Sequence, residues 1–334
     1  MSLLTMEHSP ALLRFGRLAA FLIAVVLLAS AARAQTGAEL MVKPWPDKGE
    51  ISDGSADAWI FNAGHTRQSD QSFQLSDYES VGRFRVLPGN EISPRIGYDF
   101  LLLENRTPNS RIPKQLSDDS VAFGTGVAKW GDGWVAGVTL GIGYAGSDAF
   151  AVGRGWYGKA DIIIAKEISD TDAIGLVLDY DGNRAYLPDT PLPGFGYSHR
   201  FDPKLSVVVG APFSSVDWKP IDQVDITASY QLFADFKASI AYEVLPHIFT
   251  YGSYGFVRDA FEVDGLEHNR RLLFHQQRAE VGIRYVPIEN FTAKVGIGYG
   301  WEGSYRSGWD FDRTKLVQDV SDGALLHVGL EWKF

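Results

Sequence analysis

The sequence predicts an all-β chain, a transmembrane antiparallel up-and-down β-barrel of about 14 strands within a range of roughly 12 to 16. Three observations predict it. Apolar and polar residues alternate in twos over many segments of about ten residues, the length a tilted strand needs to cross a bilayer. Connections between those segments are short and long by turns. Beyond residue 40 no apolar run approaches the roughly 20 residues of a spanning helix, and mean hydropathy is only −0.09.

The elements follow in chain order. Arg14 and Arg17 precede the uncharged run Leu18 to Ser30, and Ala32-Arg33-Ala34 follows it. A basic start, a short apolar run and an A-x-A site predict a secretory signal peptide over 1–34, cleaved before Gln35. Residues 35–56, with Pro44, Pro46 and Asp53-Gly54, read as a periplasmic N-terminal tail or a small internal plug. The barrel is then expected over 57–334.

Crossings are expected near 57–67, 76–87, 93–104, 119–130, 133–145, 155–167, 172–182, 195–202, 204–213, 222–232, 236–257, 270–286, 291–302 and 323–334. The alternation is plain in Trp134, Ala136, Val138, Leu140, Ile142 and Tyr144, and again in Phe291, Ala293, Val295, Ile297, Tyr299 and Trp301. Gly210 to Asp222 and the stretch around Pro246 could each hide one more hairpin, which would make sixteen. Short connections lie near Pro88, at Gly131 to Gly133, Ser169 to Asp172, Phe201 to Lys204 and Pro287 to Asn290. Long ones run over Arg106 to Ser117, Gly146 to Arg154, Gly182 to Gly194, Asp259 to Asn269 and Gly303 to Gly323. Short turns on the periplasmic side and long loops outside suit a barrel of the outer membrane.

The chain ends "ALLHVGLEWKF". Leu326, Val328, Leu330, Trp332 and Phe334 share one face, and His327, Glu331 and Lys333 the other. Such a strand needs a neighbour and an apolar surface, so it is expected to close the barrel against the first strand. With the leader, this ending resembles that of Gram-negative outer-membrane β-barrel proteins. The resemblance implies that the last strand is recognised by the outer-membrane insertion machinery, and that outer-membrane lipid surrounds the folded chain.

Composition narrows the function. There is no cysteine, which excludes disulfides, a lipidated N-terminal Cys and thiolate metal sites. The net charge is −10. It becomes more negative once the leader leaves, so nucleic acid is not an expected partner. Gly141 to Gly146 and Gly298 to Gly303 both fit G-x-G-x-x-G, but each lies along a strand and not at a strand-to-helix turn, so no dinucleotide site is expected. The mature chain holds His65, His199, His247, His268, His275 and His327. Ser198-His199 is the one tempting nucleophile and base, yet adjacent strand residues point to opposite faces. No catalytic residue, metal ligand or cofactor is therefore assigned.

The non-lipid face carries the chemistry. Arg83, Arg85, Asp99, Lys159, Asp161, Asp225, Lys237, Glu243, Arg278, Glu280, Arg284, Lys294, Glu302, His327 and Glu331 are expected to line the lumen, since charge on the lipid face is costly. Inward glycines (Gly124, Gly126, Gly137, Gly141, Gly143, Gly296, Gly298) would leave one wall smooth. Tyr144, Tyr180, Tyr230, Tyr242, Tyr285, Tyr299, Trp301, Trp332 and Phe334 are expected at the lipid–water boundary. The expected function is a passive channel or transporter for small hydrophilic or amphipathic solutes. The alternatives are a structural or adhesive barrel with a closed lumen, and a lipid-modifying barrel enzyme.

Overall fold

The computed structural model describes residues 36–42, 51–63, 73–87, 93–107, 112–125, 128–231 and 235–334. The expected leader, His65, the Pro88 turn and Gly126 lie outside them. After a short helix α1 (Glu39–Val42) come β1 (Ser52–Ala63), β2 (Phe73–Arg85), β3 (Arg95–Asn105), β4 (Gln115–Gly124), β5 (Ala128–Trp130) and β6 (Trp134–Ser147). Next are β7 (Trp156–Glu167), β8 (Asp172–Asp181), β9 (Leu192–Asp202), β10 (Leu205–Ala211), β11 (Phe213–Trp218) and β12 (Val224–Gln231). Last come β13 (Asp235–Leu245), β14 (Ile248–Phe261), β15 (Arg271–Ile288), β16 (Phe291–Gly308), β17 (Lys315–Val320) and β18 (Gly323–Lys333).

Every pairing between these strands is antiparallel, and the sheet closes on itself. β18 runs against β1 from Asp53↔Lys333 to Ala63↔Gly323. The Phe334 N–H donates to Ser52 O at 2.6 Å, and Ser52 N–H donates back to Phe334 O at 2.6 Å. The final aromatic residue thus completes the ladder, which leaves no edge at the seam. β1 starts at Ser52, ahead of the expected residue 57.

β4 and β5 both pair with β6, and β17 and β18 both pair with β16, so each couple is one crossing. The barrel therefore has 16 strands in its closed wall, not about 14. The two extra crossings come from hairpins that barely interrupt the alternation. Pro212 alone separates β10 from β11, and Pro246 and His247 separate β13 from β14. His247 turns the chain with φ +68, a left-handed conformation that is uncommon outside glycine.

The outer face is apolar and open: Leu140 is 62% exposed, Leu176 65% and Ile297 66%. A soluble protein does not expose a continuous apolar band of this kind, whereas lipid accepts it.

Inside, the barrel is filled unevenly. At the loop end, inward residues of β1–β4 and β14–β18 pack into one buried cluster: Phe61, Phe73, Leu75, Leu101, Leu103, Leu116, Phe261, Leu272, Phe274, Tyr305, Val320 and Leu325. Each large side chain in such a core contributes about 1.5–3 kcal/mol. The wall opposite is low, with 7, 6 and 8 residues in β10, β11 and β12 against 18 in β15 and β16.

Candidate functional site: the lumen

Three layers fill the lumen between the end that holds the turns and both strand termini and the end that holds the long loops. At the turn end, a cavity of about 330 Å³ opens between Lys219, Asp225, Glu243, Arg284, Glu331 and Lys333. Arg284 pairs with Asp225 and lies 4.2 Å over the Phe249 ring. Lys219 also reaches Asp225, at 3.2 Å, and Lys294 pairs with Glu331. Glu243 accepts a hydrogen bond from the His247 N–H at 3.0 Å, at the rim.

Above this lies a waist of paired charges. The His327 Nε2 is 2.9 Å from Asp57 and its Nδ1 3.0 Å from Glu280. Arg278 pairs with Asp77 at 2.6 Å and stands over the Trp59 ring at 5.3 Å. Nearer the turn end, level with Lys333 in the β1–β18 register, Arg83, fully buried, holds Asp53 through two donors at 2.9 Å. Arg85 and Arg95 face each other in the β2–β3 register, both buried. Arg95 donates to the Leu40 and Met41 carbonyls of α1 at 3.2 and 2.6 Å. A cation at the carbonyl end of a helix is a favourable match.

Thr36, just before α1, is buried and accepts a hydrogen bond from Lys159 at 3.1 Å, while Lys159 lies 3.4 Å from Asp181. Leu40 and Met41 pack over Gly124 and Gly137, which leave them room. Asp161 is buried, in register with Thr139 and Asp179. Asp99 is half-buried beside Ser120.

The mouth at the loop end is bridged. β6 and β14 stand on opposite sides of the ring, yet Ser147 N–H donates to Glu262 O at 3.0 Å and Glu262 N–H to Ala145 O at 3.1 Å. Arg271 donates to Asn183 Oδ1 at 2.9 Å, Arg184 O at 3.0 Å and Trp309 O at 2.7 Å, drawing the β8–β9 loop across the opening.

The remaining space runs beside the low wall. Asp217 of β11, Thr227 of β12 and Lys237 of β13 all point inward and are exposed. Lys237 is wetted although carboxylates surround it: Asp57, Glu79, Asp235 and Glu331 lie within Coulombic range. Along the same wall Ser198, Ser206, Ser215 and Ser239 face inward with small hydroxyls.

Two expected positions differ. Glu302 does not line the lumen. On β16, Trp301 is opposite Gln277 and Ser304 opposite His275, so two residues oppose one and the strand bulges at Glu302, with φ +52. A bulge reverses the alternation. Glu302 therefore accepts a hydrogen bond from Gln277 on the outer face, and Tyr305 turns inward. Tyr144 is fully buried beneath Phe150 and Trp156, its hydroxyl donating to Asp148 O at 2.8 Å. Trp156, 50% exposed, takes the surface there.

Of the other aromatics, Tyr242, Tyr285, Tyr299 and Phe334 are exposed outward. Tyr180 donates to Asp189 at 3.0 Å, Trp301 stacks on Tyr254, and Tyr230 and Trp332 are half-buried on the same face. Ser198 points into the lumen and His199 outward, where His199 lies 2.7 Å from Asp172.

Sequence reasoning missed Asp53, Asp57, Asp77 and Trp59. A strand begun at Ser52 would have shown Asp53, Ser55, Asp57, Trp59 and Phe61 on one face.

No protein-family model matches the sequence, and no curated protein matches it. Among solved structures the chain is similar to a mutant form of the monoaromatic hydrocarbon channel TodX, at 10% identity over 92% of this chain and 98% of that one, with a TM-score of 0.39. It is similar to the P. putida toluene transporter TodX at 9% identity, 92% and 96% coverage and a TM-score of 0.38. It is also similar to an outer-membrane channel from Pseudomonas putida F1, at 10% identity, 91% and 100% coverage and a TM-score of 0.35. The closed antiparallel sheet and its apolar outer belt are those of a membrane-spanning β-barrel.

Proposed function

We propose that the protein is an outer-membrane channel for small hydrophilic or amphipathic solutes, conducting beside the low β9–β13 wall. One observation carries this reading: Asp217, Thr227 and Lys237 face inward and are wet, directly above the charged cavity at the turn end. Sixteen strands are enough to enclose an aqueous path, and here the apolar cluster occupies only the other side. Lipid is the partner of the outer belt, and the last strand is the segment offered to the insertion machinery. Purified protein in planar bilayers should give discrete conductance steps, and loaded liposomes should swell in small sugars. Thr227→Trp should shrink the step while the unboiled band still migrates as folded barrel. Neither conductance nor swelling in the wild type would reject the channel. The bridge between β6 and β14 favours a second reading, a barrel closed at rest, for which the same recordings would stay silent until that bridge is cut.

A further inference from the structure

His327 occupies a closely packed polar site in the lumen. It is 3% exposed, lies between two carboxylates at 2.9 and 3.0 Å, and stacks on Trp59 with ring centroids 4.6 Å apart and planes 9° from parallel. Neutral imidazole has one N–H, so one of its nitrogens would turn a lone pair toward a carboxylate. Only the imidazolium donates at both positions. The site is built around that demand. A Cβ on Gly329 would meet Asp57 Oδ1 at 2.3 Å, and one on Gly296 would meet the Tyr251 hydroxyl at 2.5 Å. Those two glycines make the recess in which Asp57 and Tyr251 reach the ring.

From these contacts we infer that His327 is a proton-binding site that sets the charge of the lumen waist, an inference whose selectivity half rests on the channel reading above. The groups that reach it are Asp57 on β1, Glu280 on β15 and Tyr251 on β14. Lys237 on β13, Lys294 on β16 and Glu331 on β18 lie within Coulombic range of Asp57, and Arg278 on β15 stands over the Trp59 ring that His327 stacks on. With the proton bound, Asp57 and Glu280 each accept a short charge-assisted bond from the one cation, so that a single positive charge is shared between the two carboxylates. Without it, the two carboxylates keep Lys237 and Lys294 within Coulombic range, and the waist gains one negative charge. The path beside Lys237 then favours cations. Proton binding at His327 is thereby coupled to solute charge.

Two measurements test this separately. Stacked imidazolium quenches indole emission, so wild-type tryptophan fluorescence followed from about pH 5 to pH 10, the range that spans histidine titration in proteins, should rise toward alkaline pH by one indole's share of the nine. The rise should vanish in Trp59→Phe and in His327→Gln. A wild-type curve with no step overturns the proton site, whether or not the protein conducts. Reversal potentials in a KCl gradient should shift toward cations as pH rises in the wild type and stay at the alkaline value in His327→Gln. A variant that keeps the wild-type shift overturns the link to solute charge. Silence in the bilayer with a fluorescence step present would remove the channel reading and leave the proton site standing.

Discussion

The two sides of the barrel are made from the same alternation and are filled in opposite ways. On the β1–β4 and β14–β18 side, inward positions at the loop end carry Phe, Leu, Tyr and Val, and below them carboxylates meet Arg and His in fixed pairs. On the β9–β13 side, inward positions carry small Ser, Thr and Gly beside Val208 and the charged Asp217, Asp225 and Lys237, and Asp217, Thr227 and Lys237 are exposed. One side is a protein core turned inward, and the other is a wet wall. The outer faces do not differ in this way, because lipid demands the same chemistry all round. The inner face is free to be either, and that freedom separates scaffold from path.

If the division is real, equal chemical insults should cost unequal amounts on the two sides. The largest difference is expected for buried charge. Arg278→Met leaves Asp77, 1% exposed, without its partner, and breaking a buried pair costs about 3–5 kcal/mol. Lys237→Met, on the wet wall, should cost distinctly less, since water reaches both the ammonium and the space it would vacate. Urea unfolding in vesicles measures both, and equal losses would erase the distinction. Next comes apolar truncation. Leu103→Ala in the packed side should cost about 2–5 kcal/mol, whereas Val208→Ala on the low wall should cost under about 1 kcal/mol. Smaller again is Gly146→Val. Its Cβ would meet the Tyr144 hydroxyl at 2.7 Å and Glu262 O at 3.2 Å, an overpacking worth about 1–3 kcal/mol. The local sign is faster amide exchange at Ser147 and Glu262, with Thr227 unchanged.

Much of the outer half of this architecture was legible in the sequence, because lipid punishes every misplaced charge and so imprints period two on each strand. The closure of β18 on β1 was readable from an apolar face that ends on Phe334. What was not legible has local physical causes. The β10–β11 and β13–β14 hairpins turn on Pro212 and on Pro246-His247 without a polar stretch long enough to mark them, so β13 and β14 read as one crossing and β11 falls between two. The Glu302 bulge reverses the alternation at a single residue, which no reading in twos can detect. Tyr144 has the right spacing for a boundary aromatic but is roofed by Phe150 and Trp156 from the following loop. The inward apolar cluster was hidden for a different reason: in Leu101 and Leu103, or Leu272 and Phe274, both faces of a strand are apolar. Sequence alone does not say which of those faces meets lipid and which meets the opposite wall.

The smallest expected effect concerns the bridged mouth and depends on pH. Glu262 follows the last residue of β14, beyond the wall. Burial pushes its carboxyl up, against the opposing pull of Arg154 and Arg271. A carboxyl lifted on folding binds its proton more readily in the native state than in the unfolded one, where it titrates near about 4.3. Stability therefore falls as pH rises through the interval between the ordinary and the lifted value, and is regained on acidification through it. The bridge should be firmest on the acid side. Protection of the Ser147 amide, corrected for the intrinsic exchange rate, should rise as pH is lowered through that interval and should be flat in Glu262→Gln. Protection at Thr227, on the low wall, should not follow it. Protection at Ser147 that grew toward alkaline pH would mean that the 2.9 Å ion pair with Arg154 outweighs burial. The mouth would then be held by charge and not by packing, and the two sides of the barrel would be less different at the loop end than at the waist.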